Sequence, residues 1–139
     1  MDDPHNLKRF VDAQASVIEQ VLRELRVGRK DSHWMWFVFP QLRGLGRSPM
    51  AVKYAIASRE EAEAYLRHAV LGLRLRECTR LVNLVEGKSI SEIFGYPDDL
   101  KFHSSMTLFA GVACDKKVFS DALGKYFAAK LDLLTVEQL

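Results

Sequence analysis

Helix-start signatures recur along this chain, and between them no second strand-like run is available to pair with a first. Asp3-Pro4 and Ser48-Pro49 set a capping residue before a proline, a place where the missing proline N–H does no harm. Ser58 with Glu61, and Ser89 with Glu92, have the spacing at which each side chain caps the other's backbone N–H. Pro97 with Asp98 and Asp99 sets two carboxylates at the positive end of a helix dipole, and Asp115 reads as a further cap. Each signature opens an apolar run of three- and four-residue spacing.

The first run, Leu7, Phe10, Val17, Ile18, Val21, Leu22 and Leu25, predicts one helix of about six turns ending near Gly28, with Gln14 turned inward. Ser48-Pro49 predicts a helix through Val52, Tyr54, Ala55 and Ile56. A helix carrying Ala62, Tyr65 and Leu66 follows, then a bend near His68 to Gly72 and a longer helix closing at Gly87. One or two turns ending at Gly95, helices after Pro97 and Asp115, and a last turn from Thr135 with Gln138 complete the pattern. The predicted fold class is all-α, a compact bundle of six to eight helices with little or no sheet. At 139 residues, positions 1–139 are expected to form a single domain able to bury its own core.

Ser32 to Pro49 is the densest part of the chain. His33-Trp34-Met35-Trp36-Phe37-Val38-Phe39-Pro40-Gln41 holds both tryptophans, and Arg43-Gly44-Leu45-Gly46-Arg47 follows. A run this short suits a buried strand or a buried helical turn; Ser32 as cap and Pro40 as terminator favour the helix. On a helix Trp34 and Trp36 lie about 200° apart, so one can enter the core while the other lines a groove.

Together with Gly28-Arg29-Lys30 and Lys101-Phe102-His103-Ser104-Ser105-Met106-Thr107-Leu108-Phe109, this string resembles the bacterial family called domain of unknown function 1810. The opening Leu7 to Gln14, the Ile93-Phe94-Gly95 turn and the closing Leu134 to Leu139 fit that family too, so the resemblance spans nearly the whole chain. It implies a mainly helical single domain and no particular activity.

Function is therefore read from the residues. An unperturbed imidazole changes charge near neutral pH, which makes His33 the candidate general base or donor. Gly44 and Gly46 allow close backbone approach at a helix start, with Arg43 and Arg47 beside them, as an anion site would require. The glycines do not match either of the standard phosphate-binding spacings, and a plain interhelical turn is the blander reading. From Arg23 to Lys53, seven cations face two carboxylates, although the whole chain is only +2. Lys101 and Ser105 share a helix face, as do Ser104 and Thr107; a nucleophile–base pair is the sharper reading, and hydroxyls bonded to the carbonyl four residues back the plainer one.

The leading expectation is an interhelical pocket that binds an anionic small molecule, including a nucleotide derivative. Its binding residues would be Lys30, Trp36, Gln41, Arg43, Gly44, Gly46, Arg47, Lys101 and Ser104, with His33 and Ser105 as catalytic candidates. Two rivals stand beside it. One is a hydrolase- or transferase-type enzyme with His33 as general base. The other is a protein- or nucleic-acid-binding module using the Arg/Lys face, with nucleic acid the weaker choice at so small a net charge.

No metal site or cofactor is expected, since there is no His-x-x-x-His, no paired Cys and no acidic cluster. Cys78 and Cys114 read as two buried, reduced thiols. The polar, acidic opening and the lack of an apolar run of about 18 residues predict a cytoplasmic protein with no membrane span.

Overall fold

The computed structural model describes residues 2–139, and within them ten helices and no strand are formed. Six helices have seven residues or more: α1 (Lys8–Ala15), α2 (Ile18–Val27), α5 (Arg59–Arg67), α6 (Leu71–Leu84), α8 (Asp98–Val112) and α9 (Lys117–Phe127). Four are shorter: α3 (Met35–Val38), α4 (Pro49–Lys53), α7 (Ile90–Phe94) and α10 (Leu133–Gln138). One parallel bridge, Leu42 to Ile56, is the only sheet-like pairing among the described residues. No described helix is long and apolar enough to cross a membrane.

The long N-terminal helix expected from the stripe is two helices. Ser16 and Val17 break it, and the Val17 N–H turns to the Gln14 carbonyl at 3.0 Å. The stripe is continuous in sequence, but α1 packs on α3 whereas α2 packs on α6, and a straight rod cannot serve both walls. Gln14 does turn inward: its amide donates to the Phe37 carbonyl at 2.6 Å and to the Tyr65 hydroxyl at 3.2 Å. Asp3 caps, but later than Pro4 suggested, since its carboxylate accepts from the N–H groups of Leu7 and Lys8.

Other ends also differ from the pattern. The α4 helix stops at Lys53, and Ile56 instead pairs with the preceding loop, its N–H donating to Gln41 and its carbonyl accepting from Arg43, both at 2.8 Å. Ser89 and Glu92 form the full reciprocal cap. At Ser58 only half forms, because the Glu61 carboxylate turns to the Ala57 N–H and to Arg9. The last helix starts at Leu133, with Asp132 at its N-cap, rather than at Thr135. Cys78 is buried and burial pushes its thiol up to about 12, but Cys114 is exposed, so one of the two expected buried thiols lies at the surface.

The core is one cluster, with α8 running through it. From Ser104 to Ala110 every residue of α8 is buried, the signature of a helix surrounded on all sides. Its hydroxyls make this tolerable: Ser104 and Thr107 bond the carbonyls of Leu100 and His103, four residues back.

Arg9 ties the N-terminal helix to the α4–α5 connection. Its guanidinium donates to the carbonyls of His5, Asn6, Lys53 and Ala55 and to the buried Glu61 carboxylate at 2.8 Å. Arg9→Ala removes these bonds together and leaves Glu61 without its cation. We expect a loss of about 2–3 kcal/mol, read as a lower midpoint in urea unfolding at unchanged slope. A loss under about 1 kcal/mol would show that water replaces the guanidinium at little cost.

Candidate functional site

The site is made by the segment after α3 lying against the first half of α8. Pro40 ends α3, and the Leu42–Ile56 bridge fixes the outgoing chain. The loop then turns at Gly44, whose φ of +94° favours glycine. It comes back onto α4 at Gly46, where a Cβ would stand 2.6 Å from that of Ala51, so only glycine lets the loop lie this close. Ser48 then caps α4 by accepting from the Ala51 N–H.

A cleft remains between this loop and α8. Its inner end is a space of about 10 Å³, room for roughly one water, bounded by Trp36, Gln41, Gly46, Lys101 and the apolar groups beneath them. Gln41, Gly46 and Lys101 also line an outer cleft of about 280 Å³, whose other walls include Leu45, Leu100, His103, Ser104 and Asp132.

The inner end is rich in hydrogen-bond donors. The Trp36 Nε1 is buried and has no hydrogen-bond partner. The Lys101 ammonium sits 5.3 Å from the centre of the Trp36 ring. Asp98 is shared by two lysines, with Oδ2 at 2.8 Å from Lys30 Nζ and Oδ1 at 3.7 Å from Lys101 Nζ. One carboxylate between two ammonium groups leaves a net positive charge at this end.

The outer end presents acceptors. Asp132 Oδ2 accepts from Ser104 Oγ at 2.8 Å and from Thr135 Oγ1 at 2.5 Å, while the Asp132 N–H donates to Thr107 Oγ1. His103 stacks parallel on Phe127 at 4.0 Å and contacts the Lys130 carbonyl through Nε2 at 2.8 Å.

Of the residues singled out in the sequence, the fold brings Trp36, Gln41, Gly46, Lys101 and Ser104 to the cleft wall. Lys30 lies behind it, half-buried and joined to it through Asp98. Arg43, Gly44 and Arg47 are exposed on the loop and do not line the cleft. His33 is exposed at the turn before α3, whereas Ser105 is wholly buried in α8 with an unpartnered hydroxyl, so neither catalytic candidate reaches the cleft. Ser104 and Thr107 follow the plainer reading of that helix, bonding backward along it.

Asp132 also lines the cleft, and the sequence reading, which begins the last turn at Thr135 with Gln138, does not point to it. The Asp-x-x-Thr spacing three residues earlier was the available signal.

Glu24 was missed as well, and it sets the approach to the site. Its buried carboxylate accepts from the N–H groups of Asp31 and Ser32, the Ser32 hydroxyl, the Gln20 amide and the Trp34 indole. Burial alone would push its pKa up. The hydrogen bonds outweigh that and hold it down at about 2. Ser32 thus bonds to Glu24 instead of capping α3, whose N-cap Trp34 is held in the core by the same carboxylate.

The chain is similar to known proteins along its length. The crystal structure of the conserved hypothetical protein Rv1873 from Mycobacterium tuberculosis matches it with a TM-score of 0.98 at 61% identity, covering 99% of this chain and 98% of that one. No curated protein matches it. A family model described as protein of unknown function (DUF1810) matches residues 4–139, and the chain belongs to that family.

Proposed function

We propose that this protein binds a small anionic molecule in the cleft between the Gln41–Gly46 loop and α8. The observation that carries this reading is the buried Trp36 indole N–H, which no protein atom accepts, in a ring whose face carries the Lys101 ammonium. A buried donor left unpaired costs on the order of 1–3 kcal/mol, and the water-sized space at this wall suits an oxygen that accepts from it. The sharing of Asp98 by Lys30 and Lys101 supports the sign of the ligand's charge. The cytoplasm is the setting that suits this reading, since both cysteines are free thiols.

The test is a thermal-shift panel of nucleotides, sugar phosphates and ADP-ribose-like compounds, followed by titration of any binder. A ligand at 100 times its Kd stabilises by about 2.7 kcal/mol, a rise of several degrees in Tm. Lys101→Met is expected to weaken binding tenfold or more, and Trp36→Phe about tenfold, with the unliganded Tm of the Phe variant close to wild type. His33→Ala, outside the cleft, is expected to change neither. If no anionic compound shifts the Tm, or Lys101→Met binds as wild type does, the reading fails.

A further inference from the structure

The two ends of the cleft differ in hydrogen-bond character. We infer that its ligand is a phosphorylated sugar, held by a phosphate in the outer cleft at Lys101, with one phosphate oxygen in the water-sized space beside Trp36, and by a vicinal diol at Ser104 and Asp132. This rests on the anion-binding reading above and goes further by assigning the opposite end. Trp36 Nε1 is a donor only, and so is the Lys101 ammonium. At the other end Ser104 Oγ has one proton, for which Asp132 Oδ2 at 2.8 Å is the shorter acceptor and Leu100 O at 3.2 Å the longer, and it keeps lone pairs that accept. Asp132 spends Oδ2 on Ser104 and Thr135, which leaves Oδ1 to accept a further bond. Two neighbouring acceptors suit two neighbouring hydroxyl donors.

The separation of the ends selects the scaffold. Lys101 and Ser104 are three residues apart on α8, about 4.5 Å along its axis. Lys101 reaches toward the start of the helix, to Asp98 and Trp36, whereas Ser104 reaches to Asp132 on the far side. An α-amino acid carries its carboxylate and ammonium on one carbon and is too short to engage both. A pentose or hexose phosphate has its anion and its ring hydroxyls at opposite ends. The outer cleft of about 280 Å³ sits just below the roughly 300–1,000 Å³ of drug-sized ligand sites, which fits a monosaccharide phosphate rather than a dinucleotide. Leu45, Pro97, Leu100 and Leu134 supply apolar walls for the C–H faces of the ring.

The experiment is calorimetric titration of the intact chain with ribose 5-phosphate, 2-deoxyribose 5-phosphate, inorganic phosphate and phosphoethanolamine. Ribose 5-phosphate is expected to bind at least tenfold tighter than inorganic phosphate, and the deoxy sugar to fall between them. Lys101→Met is expected to weaken all of them. Asp132→Asn is expected to bring ribose 5-phosphate down toward inorganic phosphate while leaving the latter unchanged. Because Asp132 also starts α10, a wild-type measurement stands beside the variants. Of the two indole N–H signals in a proton–nitrogen spectrum, that of Trp36 is expected to move with ribose 5-phosphate while that of Trp34, bonded to Glu24, stays.

Adenosine 5′-monophosphate carries the same phosphate and diol. Tighter binding of it than of ribose 5-phosphate would name a nucleotide as the source, and weaker binding a free sugar phosphate; either supports the inference. Equal affinity for ribose 5-phosphate and inorganic phosphate, still dependent on Lys101, overturns the diol and leaves the anion site standing. Preference for phosphoethanolamine overturns the diol in favour of an ammonium at Asp132. No binding of any phosphate, with the Trp36 signal fixed, overturns both.

Discussion

Replacing Glu24 with alanine is expected to destabilise the protein by about 4 kcal/mol, lowering Tm by roughly 10–20 °C. The carboxylate accepts five hydrogen bonds at 2.6–3.0 Å, and three of their donors, two backbone N–H groups and the Trp34 indole, have no ready substitute for it. Trp34 is 1% exposed, so its N–H cannot turn to water when the acceptor is removed. Urea unfolding at neutral pH measures the loss, and a value under about 1.5 kcal/mol would show that the Asp31–Trp34 segment is held by packing alone.

The same group makes a pH prediction. In the folded chain its pKa is about 2 against an ordinary value of 4.5. A lowered folded pKa stabilises above the unfolded value, and that stabilisation is lost as pH falls from about 4.5 through about 2. The amount is about 3 kcal/mol. Glu24→Gln keeps an acceptor but cannot titrate, so its stability is expected to be lower at pH 7 and flatter across that acid range. An acid limb as steep as that of wild type would place the effect elsewhere.

Phe102→Ala is the second large effect, expected at about 3–5 kcal/mol. The ring is fully buried, stacked on Phe94 at 4.9 Å and edge-on to Phe39 at 5.0 Å, with Phe127 at 6.2 Å. It joins the segment after α3, α7, α8 and α9 in one contact, next in sequence to Lys101. Truncation leaves a cavity that these walls cannot close without moving. Phe102→Leu, which refills most of the volume, is expected to cost about half as much. Thermal and urea unfolding of both variants check the ordering; equal losses would mean that ring geometry, rather than volume, dominates.

Much of the helical architecture was legible because capping is local chemistry. Ser48 and Ser89 act within a few residues of themselves, so spacing alone reveals them. The break after Ala15 was not legible, because it answers to two different walls, α3 and α6. Half of the Ser58–Glu61 cap was lost for a similar reason: Arg9, 52 residues away, competes for the carboxylate. In the cleft, sequence proximity overstated Arg43, Arg47 and His33. Those residues lie in turns, and a turn exposes its polar side chains unless another element covers them.

What the sequence determined by itself is the all-α class and most of the helix starts. These follow from hydrogen bonds and apolar periodicities contained within a turn or two of chain. Tertiary structure alone decided that α8 runs through the core, that Trp36 rather than Trp34 faces the cleft, and that Asp132 arrives beside Ser104 from 28 residues away. Each of these depends on which helix covers which face. That is set by the packing of the whole chain and is written at no single position in it.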